Sequence, residues 1–310
     1  MTMSAAAEPF VHPALFYRSR REYLAGTVPF VLAGLAAGEP VAVAVPGENL
    51  SLLRAELGDD ARRVELLDMT EAGRNPGRII PRVLRAFADA HPGDGRVRII
   101  GEPIWASRTG TEYPACAQHE ALINHAFTGR SVTILCPYDV AALDPLVVAD
   151  ARATHPVVIE DGVELTSDAY APERIVARYN EPLTPPAEAA AFAFDAERLS
   201  DVRHFATDRA AEHGLAGERL ADLTLAVAEL TTNSVVHGGG TGTLRIWTED
   251  RQVVCEVSDA GELKDPLAGR RPPARDQIGG RGLLLVHCVA DLARVHTGPA
   301  GTTVRFYLGR

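Results

Sequence analysis

Short apolar runs alternate with helix-like segments through the first half of this 310-residue chain, and this alternation constrains the fold most. Four runs have the length and composition of buried strands: Val41–Val45, Val64–Leu67, Val97–Ile100 and Val132–Cys136. Helix-like segments lie at residues 20–37, 50–57, 79–90, 112–127 and 143–153. Strands that are apolar along most of their length need cover on both faces, and intervening helices supply it. The first half is therefore predicted to be an α/β domain with a parallel sheet.

The second half of the chain has a different rhythm. Its segments follow in the order helix, helix, strand, strand, loop, helix and strand, at residues 197–213, 218–236, 243–248, 253–258, 262–278, 283–290 and 303–308. The first two strand-like runs are joined by a very short connection, so they are expected to pair as antiparallel neighbours. This order predicts an α+β sandwich.

A proline-rich segment separates the two halves. Pro182, Pro185 and Pro186 lie within five residues of one another, and proline keeps a segment extended. We predict a linker at about residues 178–190, with one domain at 1–185 and the other at 190–310.

The composition limits the partners and the location. The chain carries 41 acidic and 31 basic residues, so it lacks the cationic excess typical of nucleic-acid-binding surfaces. No apolar stretch is long enough to span a membrane, and the first residues lack the basic and apolar segments of a secretory signal. We therefore expect a cytoplasmic protein without direct nucleic-acid or membrane contact.

Buried free thiols, rather than a disulfide or zinc ligands, are expected at the four cysteines, which form no Cys-x-x-Cys pair: Cys116, Cys136, Cys255 and Cys288.

A polar stripe marks the long helix-like segment of the second half. Glu229, Asn233 and His237 recur every four residues, which puts them on one helix face. Phosphoryl transfer requires magnesium and a positioned nucleophile. An Asn side-chain oxygen can bind Mg²⁺, and a carboxylate one turn earlier can accept a hydroxyl proton. The alternative for Glu229 and Asn233 is a solvated helix face. The alternative for His237 is a cap of the helix end before Gly238.

Two glycine-containing motifs follow the stripe. Asp259-x-Gly261 ends a strand-like run, where a carboxylate can accept a hydrogen bond from the amine of adenine and glycine lets the backbone turn closely past the ring. Taken alone, Asp-x-Gly is also a common turn.

The segment Gly279–Gly282 opens an apolar helix at Leu283, where backbone amides and the helix dipole attract phosphate. It matches neither the dinucleotide fingerprint nor the P-loop, and its alternative is a flexible hinge.

Together the three motifs resemble the N, G1 and G2 boxes of the GHKL ATPases, and the compact domain resembles the bacterial anti-sigma-factor serine kinases. The resemblance covers about residues 190–310 and implies a Bergerat fold that binds ATP and Mg²⁺. It implies Glu229 as general base and Asn233 as the magnesium ligand through its side-chain oxygen. Thr302 or Thr303 would lie near adenine. The implied nucleotide-binding residues are Asn233, Asp259, Gly261, Gly279, Gly280, Arg281, Gly282, Leu283, Thr302 and Thr303.

The second domain departs from the sensor histidine kinases. His204 lacks the Glu/Asp-Leu/Ile-x-x-Pro signature expected near a phosphoacceptor histidine, and no long paired-helix module precedes the domain. The segment 262–278 is short for a lid and has no phenylalanine motif. These features favour a serine kinase over a histidine kinase.

The first half resembles the MEDS sensory domain. The segment His12–Tyr17, the long helix after it and the run Val41–Pro46 carry the resemblance. It implies a core like that of the P-loop nucleoside triphosphatases without the P-loop, and indeed no Gly-Lys-Thr follows Val45. It also implies ligand sensing, with His12 and Tyr17 as the candidate site. The alternative for His12 is a helix-capping or surface histidine.

These expectations combine into one functional hypothesis. A sensory domain that binds a small-molecule signal would control an ATP-binding domain, which sequesters a sigma factor or phosphorylates a serine of an STAS-type anti-sigma antagonist. Related kinases favour a homodimer. The alternative is a non-catalytic switch that uses bound nucleotide to shape a protein interface.

Overall fold

The chain folds into two compact units. In the computed structural model, the described residues are 10–93, 95–272 and 280–310. The first unit runs from residue 10 to Arg74 and over Ile79–Tyr179, whereas Asn75–Arg78 cluster with Asn180–Arg310 as the second unit. Among the described residues, no helix combines the length and the apolar character needed to cross a membrane.

The first unit is built on a seven-stranded sheet. Its strands are β1 Pro13–Tyr17, β2 Val41–Val45, β3 Glu65–Asp68, β4 Val97–Gly101, β5 Val132–Asp139, β6 Val157–Glu160 and β7 Val163–Thr166. They lie in the order β3-β2-β4-β5-β1-β6-β7, and all neighbours are parallel except the hairpin β6–β7. Because the carboxyl ends of parallel strands meet at one edge of a sheet, β1, β2, β4 and β5 deliver their following residues to the same place.

Helices connect these strands and cover the sheet. They are α1 Arg20–Ala36, α2 Gly47–Leu57, α3 Met69–Ala72, α4 Arg85–Ala90, α5 Tyr113–Ala126, α6 Pro145–Thr154 and α7 Pro172–Arg178, with a 3-10 helix at Gly58–Arg63 and a π-helix at Ile80–Leu84. Every residue of β2 is buried, as an apolar strand in the middle of such a sheet requires. The predicted α/β class is confirmed as a parallel-rich sheet with helices.

The second unit is a five-stranded antiparallel sheet with helices. Its strands are β8 Ala190–Asp195, β9 Thr241–Glu249, β10 Gln252–Asp259, β11 Leu292–Gly298 and β12 Gly301–Gly309, in the order β11-β12-β10-β9-β8. Its helices are α8 Leu199–Glu212, α9 Gly217–His237 and α10 Gly282–Val289, and a 3-10 helix spans Pro76–Arg78. The predicted mixture of helices and antiparallel strands is confirmed at this level.

One face of the antiparallel sheet and the three helices form the core of the second unit. Residues of β10 at alternate positions, Val253, Cys255 and Val257, point into this core, as do Val304 and Phe306 of β12. From the helices the core receives Val202 and Ala206 of α8, Leu223, Ala226, Val227 and Leu230 of α9, and Leu283 and Val286 of α10. The residues between them on each strand therefore lie on the opposite face of the sheet.

Several strands are absent from the sequence-based assignment. That assignment places two strands before the loop and one at the end of the second domain, whereas the structure adds the edge strands β8 and β11. Much of β8 is alanine, which has little strand preference, and β11 contains Arg294 and His296, so neither reads as an apolar run. Pairing with β9 and with β12 stabilises them. In the first unit, the sequence pattern likewise predicts no strand at β1, β6 or β7.

A pair of leucines on α9 tests this packing. Leu223 is fully buried in the core, whereas Leu225 on the same helix is 38% exposed. Leu223→Ala should lower the free energy of unfolding of the second unit by about 2–5 kcal/mol because it leaves a cavity, and Leu225→Ala should cost less than about 1 kcal/mol. Urea unfolding followed by the fluorescence of Trp247, in a Trp105→Phe background, measures both. Equal losses would contradict the packing described.

Candidate functional site

The polar stripe lies along the carboxyl-terminal half of α9. Glu229 and Asn233 are half-buried and His237, the last residue of the helix, is exposed. Leu230 and Ser234, their immediate neighbours in sequence, are buried against the sheet. The stripe thus follows the boundary between the core-facing and the solvent-facing sides of α9. At this boundary, the polar end of a side chain can reach a ligand while its aliphatic part is packed against the protein.

The beginning of α10 presses against this stripe. A β-carbon placed on Gly282 would lie 2.7 Å from Glu229 Oε2 and 2.8 Å from Asn233 Nδ2, closer than any real side chain tolerates. Glycine at this position therefore lets the first turn of α10 approach both polar side chains. The structure brings together the helical stripe and the glycine-rich turn, two motifs about 50 residues apart in the chain.

The start of α10 also presents backbone donors. The first N–H groups of a helix lack partners within the helix, and the positive end of its dipole points the same way. Arg281 is the N-terminal cap residue, and within the described residues its side chain makes no capping hydrogen bond. Gly280, with a φ of +72°, and Arg281 are exposed, and Leu283 packs into the core. The predicted site residue Gly279 lies outside the described residues.

Asp259 ends β10 and links it to α9. Its Oδ2 accepts a hydrogen bond from Ser234 Oγ at 2.6 Å, and its Oδ1 accepts one from the backbone N–H of Gly261 at 2.9 Å. Gly238, at the end of α9, allows this approach, because a β-carbon there would lie 2.3 Å from Asp259 Cγ. Ser234 was missed in the sequence, although it is adjacent to Asn233 and one helical turn before Gly238.

Thr302 and Thr303 occupy opposite faces of the sheet. Thr302 is paired with Asp259 across β12 and β10, and its hydroxyl donates to the carbonyl oxygen of Gly261 at 2.7 Å. Thr303 instead donates to Ser258 Oγ at 3.1 Å on the other face. Thr302 is therefore the threonine that shares a face with Asp259. A further hydroxyl, Thr297 on β11, lies 2.8 Å from Thr302 Oγ1 and was not identified from the sequence.

The two candidate residues of the first domain lie at opposite ends of β1. His12 immediately precedes the strand and Tyr17 ends it, which separates them by about 16 Å at the rise of an extended chain. The structure thus places them in two different polar clusters rather than in one site.

Tyr17 contributes to a cavity at the carboxyl edge of the parallel sheet. The cavity has a volume of about 380 Å³, and its lining includes Tyr17, Tyr23, Asn49, Leu52, Glu102 and Trp105. Tyr17 ends β1 and Glu102 follows β4, so the cavity lies where this class of sheet binds ligands. Glu102 was not identified from the sequence, because only the meeting of strand ends brings it beside Tyr17.

Glu102 is the central polar group of that cavity. The side-chain nitrogen of Asn49 donates to both of its carboxylate oxygens, at 3.0 and 2.9 Å, and the hydroxyls of Tyr17 and Tyr23 lie 3.4 and 3.5 Å from them. Burial raises the pKa of Glu102 to about 8. At neutral pH the group is therefore mostly protonated and can donate a hydrogen bond to a ligand.

His12 is fully buried beneath the other end of the strand. Its ring lies beside the side chains of Glu120, Cys136 and His155, and its Nδ1 is 3.2 Å from Asn124 Oδ1. Burial, together with the nearby His155, lowers the pKa of His12 to about 4. The alternative of a helix-capping or surface histidine is wrong, because the residue is enclosed in the core.

Comparison with known proteins agrees with the two-part organisation. Residues 11–156 match the model of the MEDS family, the methanogen/methylotroph, DcmR sensory domain, and residues 192–308 match that of the histidine kinase-like ATPase domain. Along the chain, the first region thus matches a sensory-domain family and the second an ATPase-domain family. In particular, this chain carries a MEDS domain followed by a histidine kinase-like ATPase domain.

A solved structure and the curated proteins complete the comparison. The crystal structure of the RsbU and RsbW domains of a Mycobacterium tuberculosis protein is 23% identical and has a TM-score of 0.31. The similarity covers 40% of this chain and 34% of that one, so the chain spans about a third of that structure's length. No curated protein matches the chain.

The close approach at Gly282 leads to a first test at this site. The atoms that a β-carbon would strike are the far ends of two flexible side chains, so Gly282→Ala should displace them rather than unfold the domain. We expect a melting temperature within about 2 °C of the wild type and, at the Mg–ATP site that the sequence motifs predict, a loss of affinity of roughly tenfold or more. Calorimetric titration measures the affinity. Gly298→Ala, where a β-carbon would meet nothing, is the control and should change neither quantity. Unaltered affinity in Gly282→Ala would contradict the site.

The pKa of Glu102 leads to a second test. Because the folded-state pKa is raised from 4.5 to about 8, the folded state holds a proton that the unfolded state releases between these values. This contribution to stability is complete below the lower value and is lost as the pH rises through the upper one. Glu102→Gln stays neutral, so the melting temperature of its first domain should fall less than that of the wild type between about pH 5 and about pH 8. Glu48→Gln, at an exposed carboxylate lining the same cavity, should reproduce the wild-type profile. Parallel profiles for Glu102→Gln and the wild type would exclude a raised pKa.

Proposed function

We propose that this protein is a signal-responsive regulator whose second domain binds ATP and Mg²⁺ and acts as an anti-sigma factor with serine-kinase activity. The observation that carries the proposal is the contact of the first turn of α10 with Glu229 and Asn233. It supports a pocket in which a phosphate-binding helix start faces a carboxylate and an amide. The match of residues 192–308 to the histidine kinase-like ATPase domain supports ATP as the ligand.

The side chains present fit such a ligand. Gly282 leaves a space beside Asn233 that any β-carbon would fill, and a side-chain amide oxygen is a ligand that Mg²⁺ accepts. When bound, Mg–ATP would supply the transferable phosphoryl group and the cation that neutralises its charge. Asn233 is therefore proposed to hold the metal through its side-chain oxygen. The residues proposed to hold the nucleotide are Asn233, Asp259, Gly261, Gly280, Arg281, Gly282, Leu283 and Thr302, with Gly279 included on sequence grounds.

Each protein group has a distinct proposed task. Glu229 orients a serine hydroxyl of the partner protein and accepts its proton. The N–H groups at the start of α10 bind phosphate oxygens. Asp259, held by Ser234 Oγ and the Gly261 N–H, has its carboxylate positioned to accept a hydrogen bond from the adenine amine. Thr302 stabilises the turn at Gly261.

The finer assignments of fold and partner belong to this proposal. We infer a Bergerat-type ATPase fold for residues 190–310 and a nucleoside-triphosphatase-like core without a P-loop for residues 1–185, in a cytoplasmic protein. The proposed partners are a sigma factor and an STAS-type antagonist whose serine receives the phosphoryl group. A homodimer is proposed for the kinase domain.

The first domain is proposed to sense a small molecule in the cavity at Tyr17. A protonated Glu102, an amide and two phenol groups lie there beside Leu52 and Trp105. This combination favours a polar ligand with an apolar part, and the charged side chains of Arg20, Glu48 and Asp139 also line the cavity.

A binding-only switch is the alternative function. In that case nucleotide would shape a protein interface without being turned over. The decisive experiment incubates the full-length protein with γ-labelled ATP, Mg²⁺ and candidate STAS-domain proteins. Label on a serine of one candidate supports the kinase, whereas tight ATP binding without transfer to any candidate supports the switch. Absence of ATP binding would overturn both functions.

A conservative change at Glu229 tests its role in transfer. Glu229→Gln keeps the size and hydrogen-bonding capacity of the side chain but cannot accept the serine proton. We expect ATP affinity within about threefold of the wild type and phosphoryl transfer slower by about 10²–10⁴-fold. Glu218→Gln, at an exposed carboxylate in the first turn of the same helix, is the control and should leave both values unchanged. Wild-type transfer by Glu229→Gln would exclude it as the base.

A further inference from the structure

We propose that His12, Glu120, Cys136 and His155 form a closed binding site for a divalent transition-metal ion, with Zn²⁺ as the best match. This site lies in the MEDS domain, apart from the nucleotide site and from the cavity at Tyr17, so it goes beyond the proposed function. All four residues are buried, and one ligand atom from each lies within 4.8 Å of the other three.

The separations of the ligand atoms suit a tetrahedral ion. His12 Nε2 lies 3.4 Å from Glu120 Oε2, His155 Nε2 lies 3.1 Å from the same oxygen, and Cys136 Sγ lies 3.4 Å from His12 Nε2. Ligands about 2.0–2.3 Å from a zinc ion at tetrahedral angles are roughly 3.3–3.7 Å apart. Three of the six separations are therefore close to those of a tetrahedral site, and the other three are at most 4.8 Å.

Hydrogen bonds orient both imidazole rings toward the same centre. His155 Nδ1 lies 2.8 Å from the carbonyl oxygen of Ala151, and His12 Nδ1 lies 3.2 Å from Asn124 Oδ1. The amide orientation of Asn124 is defined by its nitrogen, which donates to the Thr154 carbonyl at 2.8 Å. Each Nδ1 thus has an oxygen acceptor, which leaves Nε2 with a lone pair. This arrangement is the usual outer shell of metal-bound histidine.

Without a cation the centre of the cluster is unfavourable. With both rings protonated at Nδ1 only, the two Nε2 lone pairs would lie 3.4 and 3.1 Å from one buried carboxylate oxygen of Glu120 with no proton between them. Protonating both rings instead would bury two positive charges with ring centres 4.1 Å apart. A bound cation satisfies both nitrogens and the carboxylate at once, and it would hold Cys136 as the thiolate.

The ligand set points to zinc and to a structural role. Two imidazoles, one thiolate and one carboxylate are a mixture that zinc accepts, whereas magnesium and calcium prefer oxygen ligands alone. Four protein ligands leave no position for a substrate. The four residues come from the start of β1, from α5, from β5 and from the end of α6. Binding would therefore stabilise the sheet and the two helices as one unit.

The sequence alone favoured a free thiol at Cys136, because no Cys-x-x-Cys pair is present. Cys136 indeed forms no disulfide. The ligands are spread over residues 12 to 155, and this spacing matches no zinc motif. Only the folded chain reveals the cluster.

Metal content and cobalt spectroscopy of the full-length protein test the proposal. The purified protein, treated with a chelator and then titrated with Zn²⁺, should bind about one equivalent and melt at a higher temperature. Co²⁺ in its place should produce the intense visible bands of a tetrahedral site and a near-ultraviolet thiolate-to-cobalt band. This spectrum is read on the wild type and depends on no variant folding.

Paired cysteine variants locate the ion. Cys136→Ser should abolish the thiolate-to-cobalt band and weaken zinc binding at least roughly tenfold. Cys116→Ser, at a buried thiol on α5 outside the cluster, should leave both unchanged. Two outcomes overturn the proposal: a wild-type protein that binds no zinc, or a cobalt spectrum without a thiolate band.

Discussion

The carboxylate of Asp259 connects the elements on which the proposed nucleotide site depends. It receives the hydroxyl of Ser234 from α9 and the N–H of Gly261 from its own turn. Two glycines permit this closeness: a β-carbon on Gly238 would strike the carboxylate, and one on Gly301 would lie 2.0 Å from the Asp259 carbonyl oxygen. The end of β10, the end of α9 and the start of β12 are thereby held together. The start of α10 contacts α9 at Gly282. Helix α9 therefore borders both ends of the proposed pocket, the adenine end at Asp259 and the phosphate end at α10.

The parallel sheet of the first domain has polar clusters at both ends of one strand. Tyr17, at the carboxyl end of β1, faces a cavity with Glu102, whereas His12, at the other end, is enclosed with Glu120 and His155. The open cluster has room for a small molecule, and the closed one does not. In the proposed sensory role, an ion joining β1, β5 and two helices would stabilise the sheet that carries the ligand cavity. The proposed sensing and the proposed metal binding are thus physically separate tasks of one sheet.

Local patterns predicted a good part of this molecule. The sequence predicts the buried strands β2, β4 and β5 and the long helix α9, because periodicity and apolar content are patterns of neighbouring residues. The stripe of Glu229 and Asn233 was legible for the same reason. By contrast, β8 and β11 are edge strands of weak composition, and they exist because β9 and β12 offer them partners. Their hydrogen bonds depend on neighbouring strands of the sheet that are distant in sequence, so a short stretch of sequence does not predict them.

The sequence by itself determined which polar residues share one face of α9 and where the chain turns after β10, because a helix repeats every 3.6 residues and a strand ends in a turn. Only the tertiary structure decided which distant residues meet. The contact of Gly282 with Glu229 and Asn233 joins segments far apart in the chain, and strand register puts Thr302 rather than Thr303 on the side of Asp259. The four residues around Glu120 meet for the same reason. Each crossover between parallel strands brings the chain back to the same sheet, so residues far apart in the sequence become neighbours. Their spacing in the sequence does not reveal this.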